Sequence, residues 1–403
     1  MGASFGPVVA RPSLPLRRCD ANQPVCIHAD AKIARDDFAR VRASAARAWG
    51  AIVDTLQMPP PLFDGDSGGD PRLDLYLARV ADASDPLLVG RDAPSLIEDH
   101  DGAPAFLVVD PRLVARGGCE LDATIARGVA RACAMGLDVA ETEVVVDGFS
   151  RYLSSLVAPC SSLRQVPFEA MQREPWHSLT DSAFAIEDFA RFVDVERGEG
   201  YGALVPALLS MAIQKKGIVV PAPEDFEYGP VHFRNEPTVF DVMAATLSDE
   251  GASLDDLFLD AAVARVLEHP QTPPTFEWRV PVSTLPRRLA VSRGIEPTGL
   301  TFVRIDLDRA PKGDAVEIKW NWEQGSRFRW SAIKLDAKGR DVGRPGIPSL
   351  ERAREQMVEV RHLDGVASVL VVGVNLGDPM RPWRPDDPPS PPHGYEIAIF
   401  EGE

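Results

Sequence analysis

The apolar periodicity of this chain changes once, at His269-Pro270-Gln-Thr-Pro273-Pro274, and that change confines it to a fold in two parts. Before the break, apolar residues recur every three or four positions, the spacing of helices with one buried face. Residues 31–56 set Ile33, Phe38, Val41, Ala45 and Trp49 along one stripe, which Met58-Pro-Pro-Pro-Leu62 ends. Further helices are predicted at 122–135, 144–157, 183–192, 201–215, 239–247 and 254–267. Two strands interrupt them, at 73–78 and 105–109; the second is nearly all apolar, hence buried. After the break the period is two. Val316, Ile318, Trp320 and Trp322 alternate with Glu317, Lys319 and Asn321, and Phe328 and Trp330 alternate with Arg327 and Arg329. Asp336-Ala-Lys-Gly339 offers a hairpin turn, and 366–376 and 395–400 are further strands.

The pattern predicts an α+β chain: an α-rich domain with a small sheet, then an all-β antiparallel sandwich. The expected divisions are an irregular segment with a local disulfide at 1–30, the α-rich domain at 31–270, a Pro-rich linker at 271–290 and the sandwich at 291–403. Residues 379–392 should form an exposed Pro-rich loop.

The net charge of −17 argues against a nucleic-acid partner, because such binding rests on neutralising phosphates. No stretch approaches the 18 or so consecutive apolar residues of a membrane span. Cys19 and Cys26 bracket a short loop near one end, which reads as a local disulfide and an oxidising compartment. Met1-Gly-Ala-Ser-Phe has neither the charged nor the apolar part of a secretion signal. The expectation is an extracytoplasmic chain whose leader is absent, secreted, periplasmic or at a cell surface. Free thiols at Cys19 and Cys26 would favour a cytosolic acidic scaffold instead.

Several residue groups could carry chemistry. Asp64, Asp66, Asp70 and Asp74 surround Gly65, Gly68 and Gly69, and calcium takes several oxygens from flexible Gly-containing loops. The loop lacks the final bidentate Glu of an EF-hand, and a solvated acidic turn is the other reading. The seven His are scattered with no His or Cys at zinc-ligand spacing. There is no Gly-x-Ser-x-Gly elbow and no phosphate-cradling Gly loop. Cys133, between Ala132 and Ala134, reads as a small buried residue. Trp320, Trp322, Phe328 and Trp330 could line a carbohydrate or peptide surface, though a sandwich core is the commoner explanation, with Arg327 and Arg329 outside.

On the helix at 122–135, Arg127 and Arg131 lie one turn apart and share a face. Sixteen residues after Arg131 comes Asp147-Gly148-Phe-Ser-Arg-Tyr152 on the next helix. Around these run Cys-x6-Cys-Ile-His28, a helix ending in Trp49, Gly-Gly-Asp70-x-x-x-Asp74-Leu-Tyr76, Phe-Leu-Val-Val-Asp110-Pro-Arg112, Thr124-Ile-Ala126 and Tyr201-Gly-Ala203. In order and spacing, residues 19–270 resemble bacterial secreted zinc metalloproteases of the His-Glu-x-x-His type. Members often continue into a β-sandwich, and Ile295-Glu-Pro297 to Phe400 looks similar.

The resemblance implies a zincin-like domain. It places two zinc-binding His at positions 127 and 131, the general-base Glu at 128 and the third, acidic ligand at 147. Those positions hold Arg127, Gly128, Arg131 and Asp147, and a guanidinium has no lone pair to offer. Zinc binding and peptidase activity therefore do not carry over, and no zinc is expected. A carboxylate left in a protease-like cleft needs a partner, so Arg127 and Arg131 should grip Asp147. If the 144–157 helix runs antiparallel to the 122–135 helix, its end approaches Cys119, and Cys160 sits there. Cys119 and Cys133 are fourteen residues apart, about 20 Å along a helix, too far to pair. The expected pairs are Cys19–Cys26 and Cys119–Cys160, with Cys133 free.

The resulting functional reading is a non-catalytic pseudo-metallopeptidase, an extracytoplasmic binding or structural module for an unidentified protein or surface partner. The alternative is an active secreted hydrolase whose catalytic site no motif reveals.

Overall fold

The computed structural model describes residues 10–19, 24–82, 84–92, 95–97, 100–198, 200–213, 220–221, 231–232, 237–291, 293–347, 354–380, 383–385 and 390–402. Two compact units emerge, one of residues 1–165 and 182–245, the other of 166–181 and 246–403.

The first unit opens with β1 (Leu16–Arg18) and β2 (Val25–Ala29), then α1 (Arg35–Trp49), which runs into a π-helical turn over Gly50–Thr55. β3 (Leu73–Leu77), β4 (Leu87–Arg91), a ribbon of β5 (Ser95–Ile97) with β6 (His100–Gly102), and β7 (Ala105–Val109) follow. Then come α2 (Pro111–Arg116), α3 (Gly118–Leu137) and α4 (Glu143–Val157); α5 (Ser161–Arg173) starts in this unit and passes into the second at 166. Beyond them lie α6 (Ala183–Arg197), α7 (Leu204–Met211), a short ribbon of β8 (Val220–Pro221) with β9 (Val231–His232), and α8 (Val239–Asp249). Positions 214 and 215, expected to extend α7, fall outside the described residues.

The main sheet has the order β1-β2-β3-β7-β4, with β2, β3 and β7 parallel and β1 and β4 antiparallel at the edges. β2, β3 and β7 are buried along their whole length, as inner parallel strands covered on both faces should be. The segment at 1–30, expected to be irregular, therefore supplies two strands of this sheet among its described residues. Val25-Cys-Ile-His-Ala29 carries no alternation to mark it, because a strand buried on both faces has none.

Asp110 caps α2, accepting from Arg112 N at 2.8 Å, with Pro111 at the first helical position. α3 is Ala-rich and buried over most of its length, against the sheet on one side and α1 and α4 on the others. Small residues make this approach feasible. A Cβ on Gly148 of α4 would sit 2.4 Å from Ile186 Cβ on α6.

In the second unit, α9 (Leu254–Leu267) precedes β10 (Trp278–Pro281), β11 (Arg287–Ala290), β12 (Leu300–Asp306), β13 (Ala315–Trp322), β14 (Phe328–Leu335), β15 (Asp341–Gly343), β16 (Glu355–Arg361), β17 (Ser368–Asn375) and β18 (Tyr395–Glu401). They form two facing sheets, β10-β12-β17-β14-β15 and β11-β18-β13-β16. All pairs are antiparallel except β10 with β12. The α+β class with a sandwich is thus the observed architecture. The Asp336–Gly339 turn joins β14 to β15, with Asp336 N donating to Arg340 O at 3.0 Å.

Trp320, Trp322, Phe328 and Trp330 fill the space between the sheets, Trp320 stacking on Trp330 with ring centroids 5.3 Å apart. They are core and line no open surface. Two boundaries shift. The expected linker at 271–290 contains β10 and β11. The unit division falls near 245 rather than 270, because α9 covers the outer face of β14 and β17. Arg327 pairs with Asp255 at 2.6 Å, and Arg329 with Asp256. The outward arginines on β14 thereby meet a helix. Of the 379–392 excursion, 381–382 and 386–389 lie outside the described residues.

Candidate functional site

The side chains at 127, 131 and 147 converge. α3 and α4 pack side by side, and the i, i+4 face of α3 meets the first turn and a half of α4. Arg127 Nε lies 3.2 Å from Asp147 Oδ1, within ion-pair distance but without hydrogen-bond alignment. Arg131 Nη1 donates to the same oxygen at 3.3 Å. Arg151, one turn along α4, donates from Nε to Asp147 Oδ2 at 2.7 Å and stacks over the Phe184 ring at 4.2 Å.

Further carboxylates complete the cluster. Asp85, just before β4, pairs with Arg127 and lies 3.8 Å from Arg151. Glu143 accepts from Arg131 Nη2 at 3.0 Å. Three guanidinium groups thus face three carboxylates.

The electrostatics follow from that geometry. Burial alone would raise the Asp147 carboxyl, but Arg127, Arg131 and Arg151 together outweigh it and hold the group below its usual value. Asp147 is therefore ionised at neutral pH. Gly128 faces the sheet: a Cβ there would meet Leu107 Cδ1 at 3.0 Å and Leu87 Cδ1 at 3.3 Å. A glutamate at 128 has no room without moving both leucines.

A cavity of about 290 Å³ adjoins the cluster, lined by Ser84, Pro86, Asp110, Arg112, Glu120 and Thr124, among others. Thr124 stands one turn before Arg127 on α3, and Ser84 precedes Asp85.

The motifs around Tyr152 and Gly202 also meet. Tyr152 donates to buried Asp194 at 2.6 Å, and Asp194 accepts from Gly202 N at 2.7 Å. These groups tie α4, α6 and the start of α7 together. Their hydrogen bonds are satisfied within the protein, so they act as a strut.

The Asp-rich loop does not form a calcium cage. Arg11 takes the cation's place between Asp64, Asp74 and Asp92, at 2.7, 2.6 and 2.8 Å. Asp74 also accepts from Tyr76, and its other oxygen lies 2.7 Å from His28 Nε2. Asp70 turns to Arg72, whose hydrogen bonds, working against burial, lower its carboxyl to about 2, and Asp66 is exposed. The four aspartates fail to converge because the N-terminal segment, 63 residues before Asp74 in the case of Arg11, brings its own cation.

Both expected disulfides are present. Cα separations are 4.4 Å for Cys19–Cys26 and 5.5 Å for Cys119–Cys160, and Cys133 is a free thiol whose burial pushes its pKa up. Among the described residues, three groups of His, Cys, Asp and Glu come close enough to share a metal. Two of them use disulfide-bonded cysteines, which have no thiolate to offer. The third is His177, Asp181 and Glu296. His177 and Asp181 are four apart in the sequence, a spacing with carboxylates too common to mark a site by itself; Glu296, 119 residues from His177, gives no local signal. The side chains of His100 and His232 lie outside the described set. No helix among the described residues is long and apolar enough to cross a membrane.

No protein-family model matches the sequence, and no curated protein is similar to it. Among solved structures, the chain is similar to the pre-peptidase C-terminal domain of collagenase from Bacillus anthracis. The match covers 31% of this chain and 96% of that domain, at 10% identity and a TM-score of 0.21, too low to bear on fold or function.

Proposed function

We propose that the first unit is a pseudo-metallopeptidase: a zincin-like scaffold in which an ion-pair cluster stands where the metal would be, kept as a binding or structural module. The single observation supporting this reading is the convergence of positions 127, 131 and 147 on one point, Asp147 Oδ1. Two side chains at i and i+4 and a carboxylate from the next helix meeting at a point is the geometry a three-ligand zinc site requires. Here two of the three are guanidinium groups, which repel a cation and have no lone pair. The two disulfides support an extracytoplasmic location, and the adjoining cavity is the first place to look for a partner segment.

The test is metal uptake by Arg127→His/Arg131→His, with Gly128 left alone because Leu87 and Leu107 crowd it. The double variant should bind one equivalent of zinc more than the unmodified chain and lose it on Asp147→Ala. No added equivalent would remove the assignment of these positions. The hydrolase alternative predicts protein cleavage by the unmodified chain that survives alanine at 127 and 131.

A further inference from the structure

We infer that the second unit carries a site for a first-row divalent transition ion, of which zinc is the probe, formed by His177, Asp181 and Glu296. This site is separate from the α3–α4 cluster and does not depend on how that cluster is read.

The distances carry the inference. His177 Nδ1 lies 3.3 Å from Glu296 Oε1 and 3.4 Å from Asp181 Oδ2. A tetrahedral ion with ligand bonds of about 2.1 Å has ligands about 3.4 Å apart, so both separations match the edge of such a polyhedron. A single Nδ1–H cannot point at two carboxylates at once, whereas an Nδ1 lone pair directed to a shared ion satisfies all three groups. Carboxylate oxygens of Asp181 and Glu296 also lie within 4.8 Å of each other and of the His177 ring nitrogen. Two carboxylates that close favour a proton or a cation between them. Glu174, 3.9 Å from His177 Nε2, is placed to orient the ring from its far side.

The ligands sit on backbone that is already laced together. Ser178 N donates to Glu296 Oε2 at 2.8 Å, which leaves Oε1 facing His177. Glu296 N donates to Trp176 O at 3.0 Å, and Leu300 N to Pro175 O at 2.7 Å. Leu179 N donates to Thr298 Oγ1 at 2.8 Å. The segments around 174–181 and 295–300 are therefore fixed against each other before any ion arrives. One imidazole nitrogen with two carboxylate oxygens suits zinc and its neighbours better than calcium, which takes six or more oxygens. Three protein ligands leave a fourth position for water or for a donor from a bound molecule.

Equilibrium dialysis of the full chain against zinc chloride, together with the visible spectrum of the cobalt-loaded chain, tests this. The expected result is one zinc per chain, a tetrahedral cobalt band, and a loss of affinity of more than about tenfold in His177→Ala and in Glu296→Gln. His393→Gln, which alters a different His–carboxylate contact, should leave binding unchanged. The proposal is overturned by no uptake tighter than about 0.1 mM, by uptake indifferent to both His177→Ala and Glu296→Gln, or by calcium binding at equal strength. Because His177 is exposed, its alanine variant should fold and remain informative. Failure here leaves the extra equivalent expected of Arg127→His/Arg131→His untouched, so the two readings fail separately.

Discussion

Replacing Asp147 by Asn removes the anion that three guanidinium groups share while keeping the side chain's shape. Its carboxylate is only 12% exposed, so solvent offers little compensation. Each pair near 4 Å between charge centres is worth roughly 4 kcal/mol at an effective dielectric of 20, and much of that offsets the desolvation of all the charges. Removing one partner of a buried pair costs about 3–5 kcal/mol. Here each arginine keeps a second acid, Asp85 or Glu143, which places the expected loss near the lower end, about 3 kcal/mol. Tryptophan fluorescence is a poor reporter, because Trp49 is the one tryptophan in the first unit. Cys133 is a better one: it is the free thiol, it is fully buried, and it lies on α3 two residues beyond Arg131. Under native conditions its labelling by a thiol reagent reports opening of that helix. Asp147→Asn should speed labelling by about 100-fold, the equivalent of 3 kcal/mol. A change below about threefold would show that the carboxylate does not hold the cluster together. Arg131→Met in the Asp147→Asn background should then cost less than in the unmodified chain, since the cycle isolates the pair.

The same carboxylate sets a pH dependence. Its folded pKa is depressed below the ordinary aspartate value, so its contribution is full above that ordinary value and is lost as pH falls through the folded one. The stability gap between the unmodified chain and Asp147→Asn should be constant near neutrality and close below about pH 4; a gap that persists in acid contradicts the assignment. Two glycines on adjacent helices should respond differently to alanine in thermal unfolding followed by circular dichroism. Gly148→Ala places a Cβ 2.4 Å from Ile186 Cβ and 2.7 Å from Ala183 O, so overpacking of about 1–3 kcal/mol should outweigh the gain in helix propensity. Gly128→Ala meets only leucine methyls at 3.0 Å or more, and should change stability by less than about 1 kcal/mol.

Helices were legible where their period was. α9 spans the predicted 254–267, and α3 and α4 differ from prediction only at their ends. What was missed has identifiable causes. α5 holds Pro167 inside it, which reads as a stop in sequence. β4 contains Gly90, which reads as a breaker; in the sheet it leaves space for the Phe106 ring, whose Cζ would be 2.2 Å from an added Cβ. β16 is short of large apolar residues, and β10 is a four-residue edge strand in a Pro-rich stretch.

Sites divide along a different line. The grip of Arg127 and Arg131 on Asp147 followed from the resemblance, which set position 147 against 127 and 131; helix periodicity by itself fixes only that the two arginines share a face. Asp85 did not, since its place beside Arg127 depends on the register of β4 against β7 and on the packing of α3 over both. The Asp-rich loop and the His177 group show the same limit from opposite sides. Four aspartates within eleven residues look like a cation site, and a cation is there, but it is the guanidinium of Arg11. His177 looked isolated, yet the lacing of two distant segments sets it against two carboxylates with no arginine or lysine in ion-pair contact among the described residues. Local charge pattern predicts that a counter-ion is needed; only the fold decides whether the chain supplies it or leaves the position to a metal.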